Sequence, residues 1–223
     1  MHHEKTLRNN GLTIVVMALC LLLIVGQTLT GWKSHDDDRK DHQRSELSLG
    51  QYLRSGHFAE AIFENWESEF LQMGAYVVLT AFLFQKGSAE SKDPDKKEKV
   101  DEEPEKHRDG PDAPRSVKSG GTRLKIYKHS LALSLFGLFA LTFIGHAIGG
   151  AKEYSEEQQA HGGDAVSTLE FLQTSEFRFQ SFQNWQSEFL AVGALTILSI
   201  WLREEGSPES KPVHAPHTDT GAG

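Results

Sequence analysis

Polar and apolar residues run in blocks along this chain rather than alternating at short period. Four apolar runs stand out, at about 12–30, 70–84, 131–149 and 189–202, with long charged stretches between them. The first and third are long enough to cross a bilayer as single helices, since the hydrocarbon layer takes about 20 residues at 1.5 Å each. The second and fourth are shorter, but each follows an amphipathic stretch. Phe58, Ile62, Trp66 and Phe70 recur at every fourth position, as do Phe177, Trp185 and Phe189 with a gap at Ser181. That spacing lines them along one helical face. A helix from 58 to 84 would be about 40 Å long, enough to span the hydrocarbon and lift a turn or two into the headgroups. The pattern predicts transmembrane helices at about 12–30, 66–84, 131–149 and 185–202. Trp66 and Trp185 become interface anchors, at the level where indole rings prefer to sit.

The chain also matches itself. A shift of 119 positions lays Asn65-Trp66-Glu67-Ser68-Glu69-Phe70-Leu71 on Asn184-Trp185-Gln186-Ser187-Glu188-Phe189-Leu190. The same shift carries Gly74-Ala75 onto Gly193-Ala194, Gly87-Ser88 onto Gly206-Ser207, and Glu90-Ser91-Lys92 onto Glu209-Ser210-Lys211. Each copy holds two apolar runs, so the chain reads as a duplicated helical hairpin. The expected fold is an all-α integral membrane protein, with four transmembrane helices arranged as two tandem parallel hairpin repeats at 1–92 and 123–205. Residues 93–122 form a charged linker and 206–223 a tail. The linker is rich in Lys, Glu, Asp, Pro and Gly and the tail in Pro, Gly, Ser and Thr; both hold little apolar surface and are expected to be disordered. Inside each hairpin, Leu49, Tyr52 and Leu53 match Leu169, Phe171 and Leu172 in part. Ser48 and Ser167 supply N-caps, which predicts a short interfacial helix in each copy.

Lys and Arg set the orientation. They crowd the segment between the copies, at Lys96, Lys97, Lys99, Lys106, Arg108 and Arg115, and again at Arg123, Lys125 and Lys128. The loop after the third apolar run holds only Lys152 and Arg178. The positive-inside rule then places both termini and the linker in the cytoplasm and both hairpin loops outside. Lys33, Arg39, Lys40, Arg44 and Arg54 in the first loop pull against this orientation. The run at 12–25 behind Lys5 and Arg8 also has the shape of a signal peptide. Its counterpart at 131–148 lies mid-chain, so a retained anchor is expected. The mean hydropathy of −0.42 averages over these unlike parts. A net charge of −8 excludes a general nucleic-acid binder, which needs a basic face. The single cysteine, Cys20, lies inside an apolar run and has no partner for an internal disulfide.

Charges inside a membrane have a role or a partner. Glu69 and Glu188 are the candidates, because the neighbouring Glu60, Glu64 and Glu67 align with Phe179, Gln183 and Gln186. Asn65 and Asn184 sit four residues earlier on the same helical faces. Gln27 and His146 lie about 23 Å along the first and third helices, and Glu69 and Glu188 about as far from the cytoplasmic ends of the second and fourth. The expectation is one polar layer that clamps helices together through hydrogen bonds. An imidazole beside a carboxylate also suits a proton or cation path. The remaining histidines lack His-x-x-x-His spacing, so no metal site is expected.

Gly-x-Ser-x-Gly, a phosphate loop, His-Glu-x-x-His and a dinucleotide fingerprint are all missing. No catalytic residue and no cofactor are expected. The two Asn-Trp-x-Ser-Glu-Phe-Leu motifs, Gly-Gln-Thr-Leu-Thr-Gly-Trp at 26–32 and His146-Ala147-Ile148-Gly149-Gly150-Ala151 resemble a family of uncharacterised bacterial membrane proteins. That family is known only as a domain of unknown function. The resemblance runs from about residue 7 to 212. It implies a bacterial membrane protein and no particular activity, and the apolar runs and Lys/Arg distribution place it in the inner membrane as a multi-pass protein. Its members carry a tyrosine and a Glu-Gln-x-x-His-like stretch in both outer loops. Here the second loop has Tyr154, Glu157-Gln158 and His161-Gly162, while the first has Ser34-His35-Asp36-Asp37-Asp38. The leading expectation is a structural or interaction protein with the lipid bilayer as its partner, and a homo-oligomer is left open. The rivals are a small proton or cation transporter using Glu69, Glu188 and His146, and an envelope enzyme acting on lipid headgroups.

Overall fold

The computed structural model describes residues 2–221, with side chains from Arg8 onward. Among them every regular element is helical and no strand occurs. Helices α1 (His2–Asp41), α2 (Leu49–Tyr52) and α3 (Gly56–Phe82) come first, and two 3₁₀ turns follow at Lys99–Asp101 and Pro104–His107. After them come α4 (Arg115–Ser119), α5 (Gly121–Lys128), α6 (Ser130–Ala160), α7 (Thr168–Phe171) and α8 (Ser175–Leu198). The chain forms two compact units. One comprises Met1–Phe63 with Ile144–Phe177, and the other Glu64–Phe143 with Arg178–Gly223.

The long helices outrun their apolar stretches. α1 continues to Asp41 and α6 to Ala160 because the residues beyond 30 and 149 include good helix formers and no proline. Both stop in the same way. Arg44 donates its N–H to the Arg39 carbonyl at 2.8 Å around Gln43, whose φ is 57°. Gly163 donates to the Gln158 carbonyl at 2.8 Å around Gly162, whose φ is 80°. A left-handed residue with this six-to-one bond returns the chain and satisfies a terminal carbonyl. α3 and α8 end earlier than expected, at Phe82 and Leu198 rather than 84 and 202. After α8 the chain tightens into three-residue turns, with Ile200 N–H on the Ile197 carbonyl and Trp201 N–H on that of Leu198.

The two short helices lie behind Ser48 and Ser167. Ser48 N–H donates to Gln51 Oε1 at 2.8 Å, and Ser167 N–H to Glu170 Oε2 at 2.7 Å, so each start is closed by a reciprocal box. In the first unit α3 enters against α6 through small residues. A β-carbon on Gly56 would lie 2.5 Å from the Glu153 nitrogen, and one on Gly149 would lie 2.7 Å from the Glu60 nitrogen. Tyr52 and Phe171 fill the core beside this contact, essentially without exposure.

Along their apolar runs the long helices bury mostly polar side chains, although α3 also buries Ile62 and α8 buries Phe177. α3 buries Glu67, Ser68 and Gln72 and exposes Met73, Val78, Leu79 and Phe82. α6 buries Thr142 and His146 and exposes Leu138, Leu141, Ile144 and Ile148. α8 buries Ser181 and exposes Phe182, Phe189, Leu190 and Leu195. α1 exposes Leu12, Leu21, Leu22 and Leu23 by more than 60 % each. In water this arrangement forfeits the hydrophobic contribution to folding. Two helices among the described residues, α1 from Arg8 and α6, are long and apolar enough to cross a membrane.

In the second unit Gly74 packs against the Phe136 ring, whereas Gly193 faces open space. The segment at 93–122 holds the two 3₁₀ turns and α4, and the chain after residue 206 returns to the segment that follows α3, where Gly87 N–H donates to Thr220 Oγ1 at 2.9 Å. Lys211 is 1 % exposed, and its ammonium donates to the Asp219 carbonyl at 2.9 Å, the His217 carbonyl at 3.1 Å and the Gly87 carbonyl. A charge so enclosed by carbonyls supplies order that composition alone does not reveal. The matching Gly-Ser-x-Glu-Ser-Lys segments fold alike. Gln85 N–H meets Ser91 Oγ at 2.8 Å, and Glu204 N–H meets Ser210 Oγ at 3.0 Å.

Candidate functional site

In the first unit the polar extensions of α1 and α6 meet α2 and the first turn of α3. The returning cap of α1 is held by Asp36, which accepts from Leu47 N–H at 2.8 Å, and by the Trp32 indole, which donates to the Leu47 carbonyl at 2.7 Å. These contacts bring Tyr52 back over Gly31, where no β-carbon fits beneath its hydroxyl. Tyr52 and His57 share a hydrogen bond at 3.1 Å between the phenol oxygen and Nδ1. The His57 and His35 rings lie 4.6 Å apart, and His35 Nδ1 is 3.6 Å from Glu153 Oε1.

Four titratable side chains therefore form one row: Tyr52, His57, His35 and Glu153. His35 is 6 % exposed. Its Nε2 and the Glu153 Oε2 are buried without a hydrogen-bond partner. Glu153 lies a turn past the apolar run of α6, and its carboxyl is pushed up to about 7 by burial and then by the charges of Glu156 and Glu60. His35, past the apolar run of α1, is lowered by burial and then by Arg39. His57 is lowered by burial and then by His35, and Tyr52 is raised by burial and then by Glu153. Near neutral pH the Glu153 carboxyl is half protonated beside an uncharged imidazole, an arrangement suited to passing a proton between them.

The row opens into a cavity of about 250 Å³. His35 and Glu153 line it together with His42, His161, Asp38, Glu156 and Glu157, and with Arg39 and Arg44. Both arginines are held by Glu156. Arg39 lies 3.7 Å from its carboxylate, and Arg44 donates to its backbone carbonyl at 2.7 Å.

The residues singled out from the sequence fall in both units. In the first, Gln27 donates to the Ala61 carbonyl at 3.1 Å, and His146 is fully buried with its ring 4.9 Å from Phe177. In the second, Asn184 donates to Glu64, and the Trp185 indole donates to Glu67 Oε1 at 3.0 Å. Glu67 has no exposed surface, whereas Glu69, Asn65 and Trp66 are exposed and Glu188 is half-buried within reach of the Glu69 charge. The acids that hold the α8 donors are thus Glu64 and Glu67, which the comparison of the two matching sequence segments sets aside. That comparison looked for identity, and these pairs join unlike partners. Glu153 and His35 were also missed, since each aligns with a different residue type, Ser34 and Tyr154.

Residues 3–222 match a family described as a domain of unknown function, DUF6766. The chain belongs to the DUF6766 family. Comparison with curated proteins and with solved structures found no match. The DUF6766 match takes in both units, so the cavity and the hydrogen-bonded carboxylates lie within the family's domain.

Proposed function

We propose that the chain is a four-span protein of the bacterial inner membrane, built from two tandem parallel hairpin repeats with both termini cytoplasmic, and that its role is structural or interactive. The mostly polar burial along the apolar runs of α3, α6 and α8 carries this reading, because helices that turn polar side chains inward and apolar ones outward suit a lipid surround. The matched caps of α1 and α6 and the matched boxes of α2 and α7 support the duplication. The polar groups support fastening over conduction. Gln27, Asn184 and Trp185 spend their donors on Ala61, Glu64 and Glu67, which ties helices together and leaves fewer groups to pass an ion along.

Single cysteines at residues 40, 110 and 160, with Cys20 replaced by serine, test the topology in whole cells. An impermeant reagent is expected to label 40 and 160 from outside and 110 only after the membrane is opened. Labelling of 40 and 160 from opposite sides would overturn the hairpin arrangement. Reconstituted protein tests the role. Glu69→Gln with Glu188→Gln is expected to leave proton and cation flux into vesicles unchanged, and a flux lost with that pair would favour a transporter.

A further inference from the structure

We propose that α5 is an interfacial helix whose Arg123 and Lys125 bind the phosphate groups of acidic phospholipid at the cytoplasmic surface. The inference rests on the four-span reading, which sets the junction of α5 and α6 at that surface. Gly120 and Gly121, with φ of 66° and 58°, part α5 from α4. The two helices are in contact, and each buries one apolar side chain, Val117 in α4 and Leu124 in α5. That anchor fixes which face of α5 looks outward. At about 100° per residue, Ile126 stands opposite Leu124, with Arg123 and Lys125 on either flank. All three are exposed, Ile126 by 58 %. An apolar side chain between two cations suits the boundary between acyl chains and headgroups.

The fold separates these two cations from their neighbours. Lys128 donates to Glu105 at 2.7 Å, Lys118 to the Pro111 carbonyl at 3.0 Å, and Arg108 to the Lys118 carbonyl at 2.8 Å. Lys106 lies 3.3 Å from Glu103. Arg123 and Lys125, like Arg115, have no hydrogen bond or ion pair from their side chains among the described residues. The acids near α5 lie on its other side. Asp101, Glu102 and Glu103 line a cavity with Leu124, Tyr127 and Lys128. A single residue separates α5 from α6, whose apolar run starts at Leu131. Arg123 is thus about 12 Å from that start along the helices, and a long side chain covers part of the distance to the headgroups. Cations left unpaired at this level gain from a phosphate what Lys106 and Lys128 gain from Glu103 and Glu105. A headgroup of net negative charge is favoured, because the ammonium of a zwitterionic lipid cancels the attraction.

The test uses the full chain with Cys20→Ser and Thr122→Cys, carrying an environment-sensitive fluorophore at position 122, in detergent micelles titrated with phosphatidylglycerol. A saturable response is expected with phosphatidylglycerol and not with phosphatidylcholine or glycerol phosphate, and it should shrink at high salt. Each basic residue near an acidic surface contributes about fivefold, so Arg123→Gln with Lys125→Gln should weaken the apparent affinity by about tenfold or more. Lys106→Gln with Lys128→Gln removes the same charge from cations that already have partners, and should weaken it far less. Equal weakening by the two pairs, or an equal response to phosphatidylcholine or to glycerol phosphate, would overturn the site. Flotation of the chain with phosphatidylcholine vesicles tests the spanning reading separately. A chain that floats without responding to phosphatidylglycerol removes this inference alone, and one that does not float removes both.

Discussion

Gln43 closes α1 with the same left-handed turn that Gly162 gives α6, at φ of 57° and 80°. Glycine adopts this conformation without strain, whereas a residue with a β-carbon is penalised by about 1 kcal/mol or more. Gln43→Gly should therefore stabilise the folded chain by about 0.5–1 kcal/mol, and Gly162→Ala should destabilise it by a similar amount. Thermal melting in detergent measures both. Equal and opposite shifts are expected, and a loss of stability in both variants would show that Gln43 earns its place through its side chain.

Gly149 and Gly193 are both helical glycines with opposite surroundings. A β-carbon at 149 collides with the Glu60 backbone, whereas one at 193 meets nothing within 4 Å. Gly149→Ala should cost about 1–3 kcal/mol through overpacking. Gly193→Ala should be neutral or gain up to about 1 kcal/mol from helix propensity. Melting curves that respond alike to the two changes would contradict the close approach of α3 and α6.

Glu153 links stability to pH. Its carboxyl keeps a proton up to about 7 in the folded chain, against 4.5 for the free side chain. The folded state holds the extra proton between those values. Its stability is highest below about 4.5, falls as pH rises to about 7 and is level above that. The fall is worth about 3 kcal/mol at most. His35 acts in the opposite sense, since its lowered pKa removes stability as pH drops below 6.5. Glu153→Gln separates the two. The difference in stability between parent and variant should decline from pH 4.5 to 7 and then stay constant. A difference that does not vary with pH would mean the carboxyl titrates normally.

The Trp185 indole and Glu67 form a hydrogen bond that a double-mutant cycle can weigh. Trp185→Phe and Glu67→Gln should each lower the melting temperature, and their coupling should be about 1–2 kcal/mol. Additive effects of the first two changes would remove the proposed fastening.

Much of the fold is legible in the residues. The 3.6-residue periodicity around Phe58 and Phe177 gives α3 and α8, and Ser48 and Ser167 announce α2 and α7 before any coordinate is known. The helix ends were less legible. α1 runs through Asp36-Asp37-Asp38 because charged side chains tolerate a helix that has already started, so the stop is set by the cap at Gln43 rather than by the end of the apolar run. The site was the least legible. Its row depends on Tyr52, His57, His35 and Glu153 coming together from four helices, and only the five-residue step from Tyr52 to His57 is short in sequence. Lys211 shows the same limit, since the carbonyls around it belong to segments more than a hundred residues apart.

The inward-facing Ser68, Gln72 and Thr142 and the outward-facing Leu21, Leu79 and Ile148 reverse the usual map of tolerance to substitution. With the outer faces in lipid as proposed, exchanges among Leu, Ile, Val and Phe there should alter little more than which acyl chains they touch. Replacing a serine or threonine on the inner faces by a larger apolar residue removes both fit and hydrogen bond. Lineages carrying this domain should therefore drift fastest at their greasiest positions and slowest at their small polar ones.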